Sequence, residues 1–165
     1  MNLPRLLNHL LTSPWRALRR FPPALRDEIA AAVATSERRH RGELRFAVEG
    51  PLPLRALLND QSPRERASEL FAQLRVWDTE ENSGILIYLQ LVDRDVEILA
   101  DRGIAAKVPQ ATWEALCRAL EAAMRTGECR EGMLAAIEGI GRLLTEHFPA
   151  SGENPNELPD RPVVI

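Results

Sequence analysis

Between Asn82 and Gly103 the chain reads NSGILIYLQLVDRDVEILADRG. An Asn-Ser-Gly turn releases a run from Ile85 to Val92 that is apolar or nearly so at every position. Continuous rather than alternating hydrophobicity means that both faces are covered, which places this strand in the middle of a sheet between helices. Asp93-Arg94-Asp95 supplies a tight turn. Val96, Ile98 and Ala100 then alternate with Glu97, Leu99 and Asp101, the pattern of a returning antiparallel strand.

The elements before and after this hairpin complete an α/β reading. Pro22-Pro23 opens a helix with Leu25, Ile29, Ala32 and Val33 on its inner face, ending near Arg41-Gly42. A first strand follows over residues 43–49, with Leu44, Phe46 and Val48 on one side and Arg45, Ala47 and Glu49 on the other. Residues 50–61 read as a Pro-containing loop. Ser62-Pro63-Arg64-Glu65 is a capping box with Pro at the first helical position, and Ala67, Leu70, Phe71 and Leu74 give the helical stripe. Strand, helix and strand in one sheet imply a right-handed crossover with parallel strands. Two helices close the pattern, over residues 109–126 (Trp113, Leu116, Leu120 and Met124 inward) and 130–147 (Met133, Ile137, Ile140 and Leu144 inward), parted by Gly127. Trp77 reads as a core or core-rim aromatic. The expected fold is a three-layer α/β/α sandwich around a small mixed sheet of three to four strands, Val163-Val164-Ile165 being able to add an edge strand. The organisation expected is a basic amphipathic segment over residues 1–20, a domain over 22–148 and a turn-rich tail over 149–165.

Charge is unevenly distributed. Residues 1–41 hold eight arginines against Asp27, Glu28 and Glu37, while the remainder holds 13 basic against 21 acidic residues. Such polarity suits an internal docking surface or a basic arm meeting an anionic partner. Leu3, Leu6, Leu7, Leu10 and Leu11 share a helical face, broken at Pro14 and extended by Trp15, Leu18 and Phe21. Two readings remain: a helix packed on the domain, or a peripheral anchor in which Leu and Trp enter an anionic membrane interface. No basic groove interleaved with aromatics is present, so nucleic acid is not an expected partner. Cys117 and Cys129 lack partners at metal-ligand spacing and read as thiols in a reducing, cytoplasmic setting. Nothing near the first residues has the pattern of a secretory signal, and no run is long enough to span a bilayer.

Several short motifs accompany this order of elements: His40-Arg41-Gly42-Glu43, Trp77-Asp78-Thr79, Asn82-Ser83-Gly84, Asp93-Arg94, Asp101-Arg102-Gly103 and Met124-x-x-Gly127-x-x-x-x-Gly132. In these, over about residues 25–148, the chain resembles the TPM domain family, most of all its soluble bacterial branch. The resemblance implies an α/β/α sandwich. It also implies one of two roles, since some members are described as calcium-binding acid phosphatases and others as accessory factors of membrane complexes. Where members close the third strand with Gly-Tyr-Gly-Leu-Glu, this chain has Asp101-Arg102-Gly103-Ile104-Ala105 and lacks the loop glutamate.

The topology sorts the charged residues to two sheet ends. One gathers His40, Glu43 and Arg102 as candidate binding residues, with Asp78, Glu80 and Asp101 as candidate ligands for Ca²⁺ or Mg²⁺, which prefer six or more oxygens. A metal there, with His40 as acid or base, would suit phosphate-ester hydrolysis. Against this stands the reading of solvated loop charges neutralised by arginine. The other end, where parallel sheets usually bind ligands, holds the alternative metal set Glu49, Asp93 and Asp95. The expected function is a non-enzymatic interaction or accessory domain, membrane-proximal and divalent-metal-binding, with an unidentified protein partner. The alternative is a weak metal-dependent acid phosphatase.

Overall fold

The computed structural model describes residues 2–151 and 154–165; Met1 of the N-terminal segment and residues 152–153 of the tail lie outside them. In chain order the elements are α1 (Leu3–Leu11), α2 (Pro14–Leu18), α3 (Pro23–Glu37), β1 (Leu44–Glu49), α4 (Leu54–Leu58), α5 (Pro63–Gln73), β2 (Ile85–Gln90), β3 (Asp95–Ala100), α6 (Arg102–Ala105), α7 (Gln110–Thr126), α8 (Cys129–His147) and β4 (Val163–Val164). The sheet order is β3-β2-β1-β4. β1 runs parallel to β2 and to β4, and β2 pairs antiparallel with β3 in the register Phe46, Ile87, Ile98. Thus the apolar run is the inner strand its composition demands, and the last residues of the chain do form an edge strand.

Alternation along the strands separates two cores. Leu44, Phe46, Val48, Ile85, Ile87, Leu89, Val96 and Ile98 face α3, α7 and α8, where Ile29, Val33, Leu120, Met133, Ile137 and Ile140 meet them. Ala47, Leu86, Tyr88 and Leu99 face α5 through Ala67 and Leu70 and are also met by Leu158 of the tail. Helices on both faces make the three layers. The capping box at α5 is complete: Glu65 N–H donates to Ser62 Oγ (3.2 Å) and Ser62 N–H to Glu65 Oε2 (2.8 Å). Gly127 ends α7 at φ +90°, a left-handed position that suits glycine.

Four local expectations need correction. α3 stops at Glu37 rather than near Arg41, because His40 leaves the helical path to bridge to Pro149. The stretch after β1 is not only loop: it contains α4, which closes a small apolar cluster of Leu52, Ala56 and Leu57 with Leu6 of α1. The short α6 replaces a simple exit loop, with Asp101 as its N-cap. Trp113 is buried as expected, but Trp77 is 51% exposed.

Candidate functional site

At the amino end of the sheet the backbone does what the topology requires. Ile85 N–H donates to Glu43 O and Asp101 N–H to Gly84 O, both at 2.8 Å, so Glu43, Gly84 and Asp101 lie in line across three strands. Gly103 closes this end because a Cβ there would sit 2.4 Å from Glu81 O and 2.6 Å from Asn82 O. The side chains, however, take different directions. Asp101 uses Oδ1 to accept from Arg102 N–H at 2.7 Å, and Arg102 Nε donates to Asn82 Oδ1 at 2.8 Å. Asp78 and Glu80 are exposed. Glu81, which sequence reasoning did not single out, pairs with Arg41 at 2.7 Å.

Asp101 Oδ2 and Glu81 Oε2 are buried without hydrogen-bond partners, and they are the acceptors a cation would find here. Two such oxygens fall far short of the shell a hard cation takes. Among the described residues no three His, Cys, Asp or Glu side chains stand together as a ligand set, so Asp78, Glu80 and Asp101 are not gathered around one point.

His40 and Glu43 serve the interior. His40 is fully buried, with Nδ1 2.9 Å from Gly42 O and Nε2 2.9 Å from Ser36 Oγ. The carbonyl can only accept, so Nδ1 carries the hydrogen and Nε2 accepts from the serine hydroxyl. Burial, opposed by the Gly42 contact and assisted by the nearby Arg39 charge, holds its pKa down to about 4. Such a histidine is closed off from acid–base work. Glu43 Oε2 accepts from Leu158 N–H at 3.0 Å, and Glu37 Oε1 accepts from Leu44 N–H at 2.9 Å. Burial is the main cause that raises Glu37 to about 8 and Glu43 to about 7; Glu43 and Asp160 add to the first, Glu157 and Asp160 to the second. With Asn154, Asn156 and Asp160 they line a cleft of about 310 Å³. The tail straps over this region: Asn154 Nδ2 donates to the carbonyls of Glu37 (2.9 Å) and His40 (3.0 Å), and Arg45 donates to those of Pro159 and Arg161.

At the carboxyl end the alternative ligands are also engaged. Glu49, 1% exposed, is held by Arg66 (Nη2 to Oε1, 2.7 Å; Nε to Oε2, 3.0 Å) and by Tyr88 OH (2.7 Å). Burial and the Glu49 charge raise the Tyr88 pKa, while Glu49 raises that of Arg66. Asp93 accepts from Arg5 Nε at 2.9 Å and from His9 Nε2 at 3.0 Å. Because Leu52 N–H donates to His9 Nδ1 (3.0 Å), the ring hydrogen is on Nε2 and points to Asp93. Among the described residues Asp95 has no such partner. Burial first, then Glu97, Glu121 and Asp93, raise it to about 6.

Arg5 and His9 therefore dock α1 by its polar edge, which inverts the usual amphipathic arrangement. Leu6 meets the α4 cluster, whereas Leu3, Leu7, Leu10 and Leu11 are 49–81% exposed and Trp15 is 68% exposed. Leu7, Leu10 and Trp15 thus do not pack on the last two helices. Below them Ala17 and Phe21 enter the main core. The sequence carried a signal for this docking in the i, i+4 spacing of Arg5 and His9 on a helix otherwise free of charge. No helix among the described residues is long and apolar enough to cross a membrane.

Comparison with known proteins agrees with this architecture. Among solved structures the fold is similar to that of BA42 protein from the psychrophilic bacterium Bizionia argentinensis, determined by NMR, with a TM-score of 0.75 at 24% identity over 87% of this chain and 94% of that one. No curated protein matches this chain in sequence. The family profile described as TPM domain matches residues 20–143, from just after α2 through most of α8. With its mixed sheet, crossover helix, Asp-Arg hairpin and closing helix pair, this chain belongs to the TPM domain family.

Proposed function

We propose that this TPM domain is a non-enzymatic interaction module that docks on an anionic membrane surface through α1, α2 and α4. One observation carries the reading. Among the described residues nine large apolar side chains are substantially exposed, and seven of them, Leu3, Leu7, Leu10, Leu11, Trp15, Leu54 and Leu58, belong to these three helices. α1 and α4 touch, with Leu6 packed on the α4 cluster, so the exposed leucines lie on neighbouring helices. A contiguous exposed apolar patch marks an interaction face. Its flanking charge favours a membrane over an apolar protein groove: Arg16, Arg19 and Arg20 follow directly, and the Arg19 guanidinium stacks over the Trp15 ring at 4.9 Å from its centroid. Leucine and tryptophan beside arginine is the composition of interfacial helices. Each arginine near an anionic leaflet contributes on the order of 1 kcal/mol. The accessory reading is favoured over hydrolysis because His40, the histidine expected to act as acid or base at the amino end, is sealed inside the core.

The test is cosedimentation of the full chain with phosphatidylcholine vesicles, with and without phosphatidylglycerol. The expected result is binding to the anionic vesicles, reduced at least about tenfold in Leu7→Ser/Leu10→Ser/Trp15→Ser. An intact chain that stays in the supernatant with both vesicles refutes the proposal.

A further inference from the structure

We propose that the cleft between α1–α2 and the β2–β3 turn binds a phosphate monoester through Arg16, Arg20 and Arg94, and that this group is the headgroup of a lipid in the docked surface. The source of the phosphate rests on the docking reading above; the site itself rests on the cleft.

The cleft encloses about 450 Å³, and Asn8, Leu11, Thr12 and the three arginines form most of its wall. A neighbouring cleft of about 470 Å³ shares Arg20, Leu91 and Arg94, so these residues line both. All but one of the 21 basic residues are arginine, in a chain whose net charge is −3. Acceptors are therefore plentiful, and among the described residues half of the 20 arginines reach a carboxylate. Arg16, Arg20 and Arg94 form no ion pair among the described residues, although they converge. Of the two acids that flank Arg94 in sequence, Asp93 already serves Arg5 and His9, and Asp95, at the start of β3 opposite Gln90, forms no ion pair with Arg94 among the described residues.

Three further features point to an oxyanion. Arg94 has φ +56°, a left-handed conformation that non-glycine residues seldom adopt and that is often kept for function. The planar guanidinium fork matches phosphate oxygens in pairs, and three forks suit the three terminal oxygens of a monoester better than the two of a diester. Leu11, the most exposed large apolar side chain at 81%, forms part of the wall. A phosphate in the cleft would thus have an apolar contact beside it, as a headgroup has beneath it.

The experiment uses the full chain with phosphatidylcholine vesicles carrying either phosphatidic acid, a monoester, or phosphatidylglycerol, a diester, at matched surface charge. Inorganic phosphate with thermal melting forms the lipid-free arm. The expected result is an affinity for phosphatidic acid about tenfold above that for phosphatidylglycerol. Arg20→Lys/Arg94→Lys keeps the charge but loses the forks and should erase that preference while retaining phosphatidylglycerol binding. Arg16→Ala/Arg20→Ala/Arg94→Ala should lose about a hundredfold on phosphatidic acid. Equal binding of the wild type to both surfaces, or a preference that survives in the lysine variant, overturns the site. If the alanine variant binds vesicles as the wild type does while Leu7→Ser/Leu10→Ser/Trp15→Ser does not, docking stands and the cleft proposal fails. If no vesicle binds but phosphate raises the melting temperature of the wild type and not of the alanine variant, the docking reading fails and the site takes a soluble phosphate ester.

Discussion

Two segments flank the stretch matched by the family, and they meet the same sheet in opposite ways. The C-terminal tail brings polar backbone and side chains to bear on buried charge: Leu158 N–H caps Glu43, Asn154 bridges two carbonyls, and the Pro159 and Arg161 carbonyls receive Arg45. The N-terminal helices also dock by polar contacts, Arg5 and His9 on Asp93, but they leave Leu3, Leu7, Leu10 and Leu11 in solvent. The tail completes the domain. The N-terminal helices leave it with apolar side chains that no other described residue covers, which is the physical reason behind the interaction role proposed for them.

The largest expected effect would test that division directly. Removing residues 154–165 deletes the partners of Glu43 and Arg45 and the edge strand β4. Stranding buried charges is expected to destabilise the domain by about 3–5 kcal/mol. Removing residues 2–12 exposes Asp93 and the small α4 cluster, for which about 1–2 kcal/mol is expected. Residues 13–21 are retained because Ala17 and Phe21 belong to the main core. Urea unfolding of both truncations measures the difference, and a larger loss from the N-terminal deletion would reverse the comparison.

A smaller effect concerns pH beneath the tail. Glu37 and Glu43 titrate near 8 and 7 in the fold and near 4.5 in an unfolded chain, so the native state holds protons that the unfolded chain has released. Their contribution is fully present below pH 4.5 and is lost as pH rises through 7 to 8. Asp95, raised to about 6, acts in the same direction at lower pH. His40 acts oppositely: near 4 in the fold against 6.5 unfolded, it removes stability as pH falls from 6.5 to 4. The two trends oppose each other below pH 6.5, and above it only the carboxyls act. Glu37→Gln keeps an oxygen for Leu44 N–H and cannot ionise. It should therefore stabilise the domain at pH 8 by on the order of 1 kcal/mol, roughly 2–4 °C, and change little at pH 5. Thermal melts at the two pH values check this; equal shifts at both would assign the effect to packing.

The smallest expected effect is on the N-terminal face. Leu7→Ser and Leu10→Ser remove exposed side chains, so each should alter stability by no more than about 0.5 kcal/mol. A loss well above that, measured by urea unfolding, would show that these leucines are already covered in solution. A near-neutral result combined with lost vesicle binding would sharpen the contrast with the tail.

Much of the scaffold was legible before any coordinates. The run from Ile85 to Leu89 is buried on both faces, the Ser62–Glu65 box caps α5, Gly127 parts the closing helices, and Val163-Val164 joins the edge. Each depends on local rules: periodicity records burial, and caps and turns involve residues a few positions apart. The candidate sites were less legible. Asp101 was placed correctly at the amino end beside Glu43, yet it caps α6 instead of joining Asp78 and Glu80. His40 and Glu43 face inward, and α4 was concealed in a stretch whose prolines read as loop.

What the sequence by itself determined was which residues share a face along β1 to β3 and along the long helices α3, α5, α7 and α8, because a hydrophobic pattern needs no knowledge of distant neighbours. What only the tertiary structure decided was the role of each charge. Glu43 meets Leu158, Asp93 meets Arg5 and His9, and Glu49 meets Arg66 and Tyr88, partners 17 to 115 residues away. A carboxylate's protonation and availability depend on burial and on the donors that surround it. Those donors are assembled only when the chain closes on itself, and so is the cleft where Arg16 and Arg20 of the N-terminal segment face Arg94 of the hairpin.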